Sequence, residues 1–460
     1  MDLRLDIARV WSTRIPPMQH PPRIVAIGAG SAQFIGELAD LCALADIGPY
    51  ELAMVDTDPA RLDVVAELGR RIAEETATPV TIIAEADRRA VMEGATAIVT
   101  SIGVGMQQSI QPDYEIPARH GLRQTVADTM GIGAIIRILR TAPVLEAIGR
   151  DAVELAPGAP LLNVTNPMTM CCMALRRLVP ELTTVGLCHS VWETAATLST
   201  LLDIPAGELV YEGAGVNHQV FLSRLVHDGV DVYPRLRELA ASSGTAFAGT
   251  VRADLLRRLG YFPTESSKHN SEYVPWYLPH DSEVERYGLD VNPYWQRRAN
   301  NAEWFNIAVD YADRRGNFNL HDHLPTGEYA PQIIRSMITG ERREIYANLE
   351  NRAPDGSRWV DELPGWAVVE IPASCDGEGV HGRPAPAIAP QCAALNRRYL
   401  DVCDLAVRAV VESDRSHVHH AAMLDPNCSA TMTLDECHAM VDELLDAHLA
   451  AGRIPESLRS

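Results

Sequence analysis

The stretch Arg23–Ser31, RIVAIGAGS, constrains the fold of this chain more than any other. A short run rich in β-branched residues ends in Gly28-Ala-Gly30-Ser31, and a second apolar run, ELAMVDTD, leads to Asp56. A strand, a glycine turn, a helix and a second strand that ends in an acid make up the first βαβ unit of a dinucleotide-binding fold. We therefore predict that Gly28 makes the tight turn, that Gly30 lets the backbone approach a pyrophosphate, and that Ser31 leads into a helix whose N–H groups face the phosphates.

Asp56 bears on which dinucleotide binds. A carboxylate at the end of the second strand accepts hydrogen bonds from a ribose diol, which favours NAD over its 2′-phosphorylated form. Gln33 stands in the place of the third glycine, so the glycine pattern is incomplete. Short glycine patterns also occur in structural turns, and it is the order strand, turn, helix, strand and acid that favours a nucleotide site. The prediction is an NAD site in the first part of the chain.

The composition disfavours several classes of partner. The chain has 40 Lys and Arg against 61 Asp and Glu, a net charge of −21, which argues against nucleic acids and anionic membranes as partners. No apolar run reaches the length of a membrane span, and Met1–His20 lacks the apolar core and cleavage site of a secretory signal. Nine cysteines, an odd number, indicate reduced thiols and a cytoplasmic location.

Strands that alternate with helices predict a doubly wound parallel sheet of the α/β class, followed by a mixed α+β domain. The predicted parts are an N-terminal arm that is a candidate for disorder (1–21), a Rossmann-like NAD-binding domain (22–200) and a substrate- and metal-binding domain (201–460). In the first domain we predict further strands at Val80–Ala84, Thr96–Ser101, Leu161–Thr165 and Thr184–Leu187, and helices at Ala60–Glu75 and Ile132–Leu155. In the second we predict a strand at Gly213–Arg224, helices at Ala330–Thr339, Ala393–Glu412 and Leu434–Ala450, and loops with short strands over 340–390.

Polar residues follow most of the predicted parallel strands. Ligands of an open parallel sheet bind outside the carboxyl ends of its strands, so these residues are expected to meet at one edge. Besides the glycine turn and Asp56, the set comprises Ser101-Ile-Gly103, which we assign to the cofactor, then Thr165-Asn166-Pro167 and Cys188-His189.

Cys188 and His218 are candidates for a metal or a nucleophilic site. Cys188 precedes the capping-box pattern Ser190-x-x-Glu193, so we expect it just before a helix N-terminus, where the pKa of a thiol is lowered. His218 ends Gly215-Val-Asn-His218, a predicted turn. A small buried cysteine and a hydrogen-bonded turn histidine remain the alternatives, and neither residue alone establishes a metal.

Several motifs together resemble family 4 of the glycoside hydrolases, from about residue 22 to about residue 450, and the α-galactosidase branch in particular, which acts on non-phosphorylated sugars. The motifs are Gly28-Ala-Gly-Ser31, Asp128-Thr-Met-Gly-Ile-Gly133, Asn166-Pro-Met168, Gly186-Leu-Cys-His-Ser190, Ala214-Gly-Val-Asn-His218, Thr264-Glu-Ser-Ser267 with Glu272-Tyr273 and Pro275-Trp276, and His420-Ala-Ala-Met-Leu-Asp-Pro426. So many motifs in the same order are specific for the family and less so for the substrate.

The resemblance implies a fold like that of lactate and malate dehydrogenases, and a chemistry that departs from the usual two-carboxylate glycosidases. Bound NAD would take a hydride from C3 of the sugar, a base would remove the C2 proton, the C1 substituent would leave, water would add, and the hydride would return. A divalent ion, Mn²⁺ in the family, would stabilise the enediolate as a Lewis acid. By the same resemblance Cys188 and His218 are its ligands, and Asn166 contacts the sugar hydroxyls.

The acid and the base are less defined by the resemblance. Some members have an aspartate as proton donor directly after the metal cysteine, whereas this chain has His189, which can also donate a proton near neutral pH. Other branches place Tyr or Asp three residues after a proline that corresponds to Pro263, where this chain has Ser266. The nearby candidates for the base are Glu265, His269 and Tyr273. We favour Tyr273, because a dication nearby would lower the pKa of its phenol. The alternative is that Tyr273 has only a structural role, packed at a domain edge.

The predicted function is therefore hydrolysis of a small α-glycoside, an α-galactoside in the first place, by a homodimer or homotetramer. The alternatives within the family are an α-glucosidase, an α-glucuronidase and an α-galacturonidase. An NAD-dependent 2-hydroxy acid dehydrogenase and a non-catalytic NAD sensor are alternatives from other classes. Net production of NADH would indicate the dehydrogenase, since the glycosidase recycles its cofactor.

Overall fold

The computed structural model describes residues 20–31, 34–242, 244–313 and 326–459. Nearly all of the predicted arm (1–21) and Gln33 lie outside these residues. Within them, no helix combines the length and the apolar character that crossing a membrane requires.

The first half of the chain forms the predicted parallel sheet. Its strands are β1 (Arg23–Ile27), β2 (Tyr50–Val55), β3 (Val80–Glu85), β4 (Ala97–Thr100), β5 (Leu161–Asn163) and β6 (Thr184–Gly186), in the spatial order β3-β2-β1-β4-β5-β6. This is the strand order of a Rossmann fold, with the change of direction between β1 and β4. All four residues of β4 and four of the five in β1 are buried, as expected for strands covered by helices on both faces. The predicted fold class is confirmed.

Helices connect these strands and cover the sheet. They are α1 (Ile35–Cys42), α2 (Pro59–Glu75), α3 (Arg88–Met92), α4 (Met106–Arg119), α5 (Gly131–Leu155), α6 (Met168–Leu178) and α7 (Ser190–Leu201). The helix α2 begins at Pro59, one residue before the predicted start, because the Asp58 carboxylate accepts hydrogen bonds from the N–H groups of Ala60 and Arg61.

The second half of the chain extends the same sheet with antiparallel strands. The chain continues through β7 (Val210–Val216), β8 (Gln219–His227), β9 (Val230–Asp231), α8 (Tyr233–Ala241), α9 (Val251–Leu259), β10 (Phe262–Pro263), α10 (Ser267–Glu272), α11 (Asp281–Arg286), α12 (Tyr294–Ala312), α13 (Tyr329–Thr339), β11 (Arg343–Glu350), β12 (Val368–Asp376), β13 (Gly379–Gly382), α14 (Pro390–Val411), α15 (Ser416–Leu424), α16 (Pro426–Thr431) and α17 (Leu434–Ala450). From β6 the sheet runs on through β11-β12-β7-β8-β10. The described residues thus join both halves through one sheet.

One prediction for the second half was wrong, and another is borne out except for the length of its strands. Gly213–Arg224 is not one strand but parts of β7 and β8, which form a hairpin. The hairpin turns at Asn217 and His218, where the sequence also predicted a turn. Residues 340–390 contain loops and strands as predicted, but two of the strands are longer than expected, since β11 and β12 pair over eight residues. The strand β12 is buried along its length, so it lacks the alternation of polar and apolar residues that marks a half-exposed strand. The helices α13, α14 and α17 agree with the predictions.

Candidate active site

The turn after β1 leaves no room for side chains. Gly28 has φ +84°, and a Cβ built there would overlap the carbonyl oxygen of Ser101, which follows β4. A Cβ on Gly30 would lie 2.9 Å from Asp56 Oδ2 and 2.8 Å from the Cβ of Arg61. Both positions therefore require glycine, one because of its backbone conformation and both because of close neighbours.

Asp56 and Arg61 brace this turn from the second strand and its helix. Asp56 accepts hydrogen bonds from the N–H of Gly30 at 2.8 Å and the N–H of Asp58 at 2.9 Å. Arg61 donates from Nε to the carbonyl of Gly30 at 2.7 Å, and its guanidinium lies 3.8 Å from the ring centroid of Phe305. The glycine turn is thus held by charged groups on both sides.

A cavity of about 780 Å³ opens in front of this turn. Every residue that the sequence assigned to the cofactor or the sugar lines it, namely Gly28, Gly30, Ser31, Asp56, Ser101, Gly103 and Asn166. Asn166 Oδ1 is buried there without a hydrogen-bond partner among the described residues, and so is Arg140 Nη1. The cavity therefore combines a backbone cradle free of side chains with unused polar atoms, which fits a bound dinucleotide.

Cys188 and His218 meet at the carboxyl ends of β6 and β7. The Sγ atom of Cys188 lies 3.2 Å from Nδ1 of His218, and both residues are buried. The N–H of Ser190 points to the same Sγ at 3.4 Å. A thiol and an imidazole from two different strands thus converge at one point, as a shared metal ion requires.

The predicted capping box at Ser190 is wrong, although Cys188 does precede a helix. The helix α7 starts at Ser190 with His189 as its N-cap, and Ser190 Oγ is buried with no hydrogen bond to any described residue. Burial raises the pKa of the Cys188 thiol to about 12, whereas the adjacent His189 lowers it. The helix N-terminus alone therefore does not give the low thiol pKa that we expected, because desolvation of the charged form outweighs it.

Glu265 and His269 lie beside this pair. Glu265 Oε2 is 3.7 Å from His218 Nδ1, and Glu265 Oε1 is 3.8 Å from His269 Nε2. The rings of His218 and His269 are 4.6 Å apart. Burial raises the pKa of Glu265, but His218, His269 and His189 outweigh it, so this pKa is lowered overall. Two of the three base candidates thus border the cysteine–histidine pair.

His189 lies between two carboxylates. Its side chain is 44% exposed, with Nδ1 3.3 Å from Glu328 Oε1 and Nε2 3.8 Å from Glu193 Oε2. Burial lowers the pKa of His189, but Glu328, Cys188 and Glu193 together raise it above its usual value. Its imidazolium is therefore stabilised at neutral pH, which suits a proton donor.

Tyr273 lies beneath the turn that bears His218. Its hydroxyl accepts a hydrogen bond from the N–H of His218 at 2.8 Å and donates to the carbonyl of Asn217 at 3.1 Å. Its ring stacks on Tyr399 with centroids 5.1 Å apart, and only 3% of the residue is exposed. Burial raises the pKa of Tyr273 well above its usual value. This geometry favours support of the His218 turn over proton abstraction.

Two carboxylates near the site were not predicted. Glu328 contacts His189, and Glu370, on β12, is wholly buried and accepts a hydrogen bond from Asn217 Nδ2 at 3.3 Å. Burial raises the pKa of Glu370 to about 7. Glu370 lies in a segment predicted as loops with short strands, and no pattern in that segment pointed to the site. Glu328 precedes a predicted helix, and its contact with His189 depends on the tertiary structure and not on the local sequence.

The chain matches the models of one protein family and is similar to two known enzymes over most of its length. The model described as "Family 4 glycosyl hydrolase" matches residues 23–204, and that of the "Family 4 glycosyl hydrolase C-terminal domain" matches residues 213–428. The chain is 34% identical over 432 residues to an α-galactosidase of Bacillus subtilis (strain 168), with 93% of this chain and 98% of that protein covered. It is 29% identical over 437 residues to an α-galactosidase of Rhizobium meliloti (strain 1021), with 92% and 88% covered.

A solved structure has the same fold. It is a 6-phospho-α-glucosidase from gut microorganisms in complex with NAD and Mn²⁺, with a TM-score of 0.78 and 16% identity. The alignment covers 95% of this chain and all of that one. At this identity the likeness concerns the fold, and it extends over both halves of the sheet.

Proposed function

Because this chain belongs to family 4 of the glycosyl hydrolases, we propose that it hydrolyses a non-phosphorylated α-galactoside with NAD and a divalent ion, Mn²⁺ for preference. The observation that carries the proposal is the 3.2 Å approach of Cys188 Sγ to His218 Nδ1, at the same edge of the sheet as the dinucleotide cavity. A metal-free 2-hydroxy acid dehydrogenase would have no use for this pair. The two α-galactosidases that match over most of their length support the galactoside.

The residues around the cavity fit NAD. The backbone from Gly28 to Ser31 would hold the pyrophosphate, Asp56 the ribose diol, and Ser101 and Gly103 the far side of the dinucleotide. When bound, NAD supplies a reversible hydride acceptor for C3 of the sugar.

Cys188 and His218 fit a divalent ion, since a buried thiol and a buried imidazole converge there, with Sγ 3.2 Å from Nδ1. Such an ion supplies a Lewis acid for the oxygens at C2 and C3. Asn166, whose Oδ1 is unsatisfied in the cavity, would orient the sugar hydroxyls.

His189 is the proposed proton donor to the departing glycosidic oxygen. Its exposed ring and the two flanking carboxylates support this role, because the carboxylates stabilise the protonated form before transfer. His269 is the proposed base for the C2 proton. It is an imidazole beside the metal pair, and Glu265 Oε1 is near enough to stabilise its protonated form.

A hydrolysis screen tests the proposal. Aryl α-galactoside, α-glucoside, α-glucuronide and α-galacturonide are each incubated with the protein, NAD⁺, Mn²⁺ and a thiol. We expect fastest release from the α-galactoside and no net NADH. Preference for another glycoside corrects the substrate, whereas NADH formation without hydrolysis refutes the glycosidase.

Cytoplasmic location and assembly as a homodimer or homotetramer complete the proposal. The described structure supports the location to the extent that all nine cysteines are unpaired thiols. Sedimentation of the purified protein measures the assembly directly.

A further inference from the structure

The two proposed ligands leave the metal ion poorly matched. Thiolate and imidazole suit softer ions, whereas Mn²⁺ prefers oxygen ligands such as carboxylates. Cys188 and His218 provide one sulfur and one nitrogen. A site that selects Mn²⁺ would therefore gain from an oxygen donor of the protein itself.

Glu265 offers an oxygen at the right place. Its Oε2 lies 3.7 Å from the same His218 Nδ1 that is 3.2 Å from Cys188 Sγ. Ligand atoms of Cys188, His189 and Glu265 lie within 4.8 Å of one another, and so do those of His218, Glu265 and His269, so that Glu265 belongs to both groups. Bonds from divalent ions to protein ligands measure about 2.0–2.3 Å, so donors of one ion lie roughly 3–4 Å apart. The separations of Glu265 and Cys188 from the histidine nitrogen meet this condition.

The backbone of Glu265 is held in place, and one of its carboxylate oxygens has no hydrogen bond to a described residue. Oε2 is buried and has no hydrogen-bond partner among the described residues. The N–H of Glu265 donates to Thr194 Oγ1 at 3.0 Å, and its backbone has φ +65°, in the left-handed region. A non-glycine residue in that region is costly and frequently marks a functional constraint.

The same strand fixes Glu265 and His218. Thr264, which precedes the glutamate, donates its N–H to the carbonyl of Val220 at 2.9 Å, and Val220 donates back to Thr264 Oγ1 at 3.2 Å. Val220 belongs to β8, directly after the turn with His218. Short bonds to one strand thus set the separation between the two side chains.

We propose that Glu265 is the third protein ligand of the metal ion and binds it through Oε2. Its other oxygen then remains free to orient His269. The proposal rests on the proposed metal site, and it assigns Glu265 to the ion instead of to the C2 proton.

Binding of Mn²⁺ without sugar tests this assignment. Wild-type protein and Glu265→Gln, both saturated with NAD⁺, are titrated with Mn²⁺, and the free ion is followed by its electron paramagnetic resonance signal. Because a buried charged ligand is lost, we expect the Kd for Mn²⁺ to rise by about tenfold to a hundredfold. The affinity for NAD⁺ and the circular dichroism spectrum should stay unchanged.

Glu193→Gln is the matched control. It removes a nearby carboxylate that contacts His189 and not His218, and it should raise the Kd for Mn²⁺ by less than about threefold, as a screened charge does. Equal losses in both variants would reduce the role of Glu265 to long-range charge and overturn the proposal. Unchanged Mn²⁺ affinity in Glu265→Gln together with lost turnover would also overturn it and assign Glu265 to the sugar.

Co²⁺ substitution gives a readout of the ligand set. In Glu265→Gln the charge-transfer band from the thiolate to cobalt should persist, since Cys188 is intact. The weaker d–d bands of the cobalt ion should shift. Unchanged d–d bands would refute coordination by Glu265. If wild-type protein binds metal through Glu265 but hydrolyses no glycoside, the proposed function fails and the ligand assignment stands; if it binds no divalent ion, both fail.

Discussion

Replacing Tyr273 by phenylalanine separates the two roles open to this residue. The change removes only the hydroxyl, which bonds to the N–H of His218 at 2.8 Å and to the carbonyl of Asn217 at 3.1 Å. The ring and its stacking on Tyr399 remain, so no cavity forms. Leaving a buried N–H unsatisfied costs about 1–3 kcal/mol, and we expect the free energy of unfolding to fall by that amount.

The loosened turn should also bind metal less well. If about 1.4 kcal/mol of that cost falls on the geometry of His218, the Kd for Mn²⁺ rises about tenfold. Guanidinium unfolding measures the stability, and a titration with Mn²⁺ measures the affinity. In D₂O, incorporation of deuterium at C2 should be slow at low Mn²⁺ and return close to the wild-type rate at saturating Mn²⁺.

Tyr233→Phe serves as the matched control. The Tyr233 hydroxyl also bridges buried backbone groups, accepting from the N–H of Phe262 at 3.2 Å and donating to the carbonyl of Leu222. It should cost similar stability with no effect on Mn²⁺ affinity. Our reasoning is refuted if Tyr273→Phe keeps normal stability and metal affinity but loses C2 exchange at all metal concentrations, since Tyr273 would then be the base.

Three further predictions follow from the same geometry. Gly28→Ala should abolish NAD⁺ binding, measured by calorimetry, and destabilise the protein by about 2–4 kcal/mol, because the new Cβ overlaps backbone atoms. Gly121→Ala is the control: at φ +82° and in open space it should cost only about 1–2 kcal/mol and leave NAD⁺ binding intact. Cys188→Ser and His218→Ala should fold and bind NAD⁺ but lose metal-dependent turnover. Peroxide should inactivate the wild type until thiol and metal are added back. Near-normal turnover of Cys188→Ser would refute the assignment of Cys188 as a metal ligand. Burial raises the pKa of Asp425 to about 6, above its value in the unfolded chain. The stabilisation from its protonated carboxyl is therefore present at acid pH and lost as the pH rises through about 6. In Asp425→Asn the Tm of the metal-free protein should change less with pH up to about 6, and a pH profile of Tm identical to that of the wild type would contradict the raised pKa.

The first half of the chain could be predicted because each signal was local. A β-branched run, a glycine turn and an N-capping aspartate act within a few residues, and they specify β1, the turn at Gly28 and the start of α2 at Asp58. The polar residues after the strands could be grouped because parallel strands end at one edge. Convergence of Cys188 on His218, by contrast, was expected only from the family resemblance.

The missed features depend on contacts distant in sequence. The strand β12 is buried along its length, so its sequence shows neither period, and Glu370 within it could not be assigned to the site. Tyr273 was expected to be the base, but its hydroxyl hydrogen-bonds to two backbone groups of the β7–β8 turn, which lies directly above it. The pKa of Cys188 differs because burial, which depends on the whole fold, outweighs the nearby helix end.

Deuterium at C2 of the released sugar is the most direct test of the proposed chemistry. The wild-type protein is incubated in D₂O with the aryl α-galactoside, catalytic NAD⁺ and Mn²⁺, and the product is analysed by proton magnetic resonance. We expect deuterium at C2, no net NADH, and loss of this exchange in a His269→Asn variant that still binds NAD⁺ and Mn²⁺. Product that carries only protium at C2, or full activity in protein stripped of nucleotide, would contradict hydrolysis through C3 oxidation and elimination.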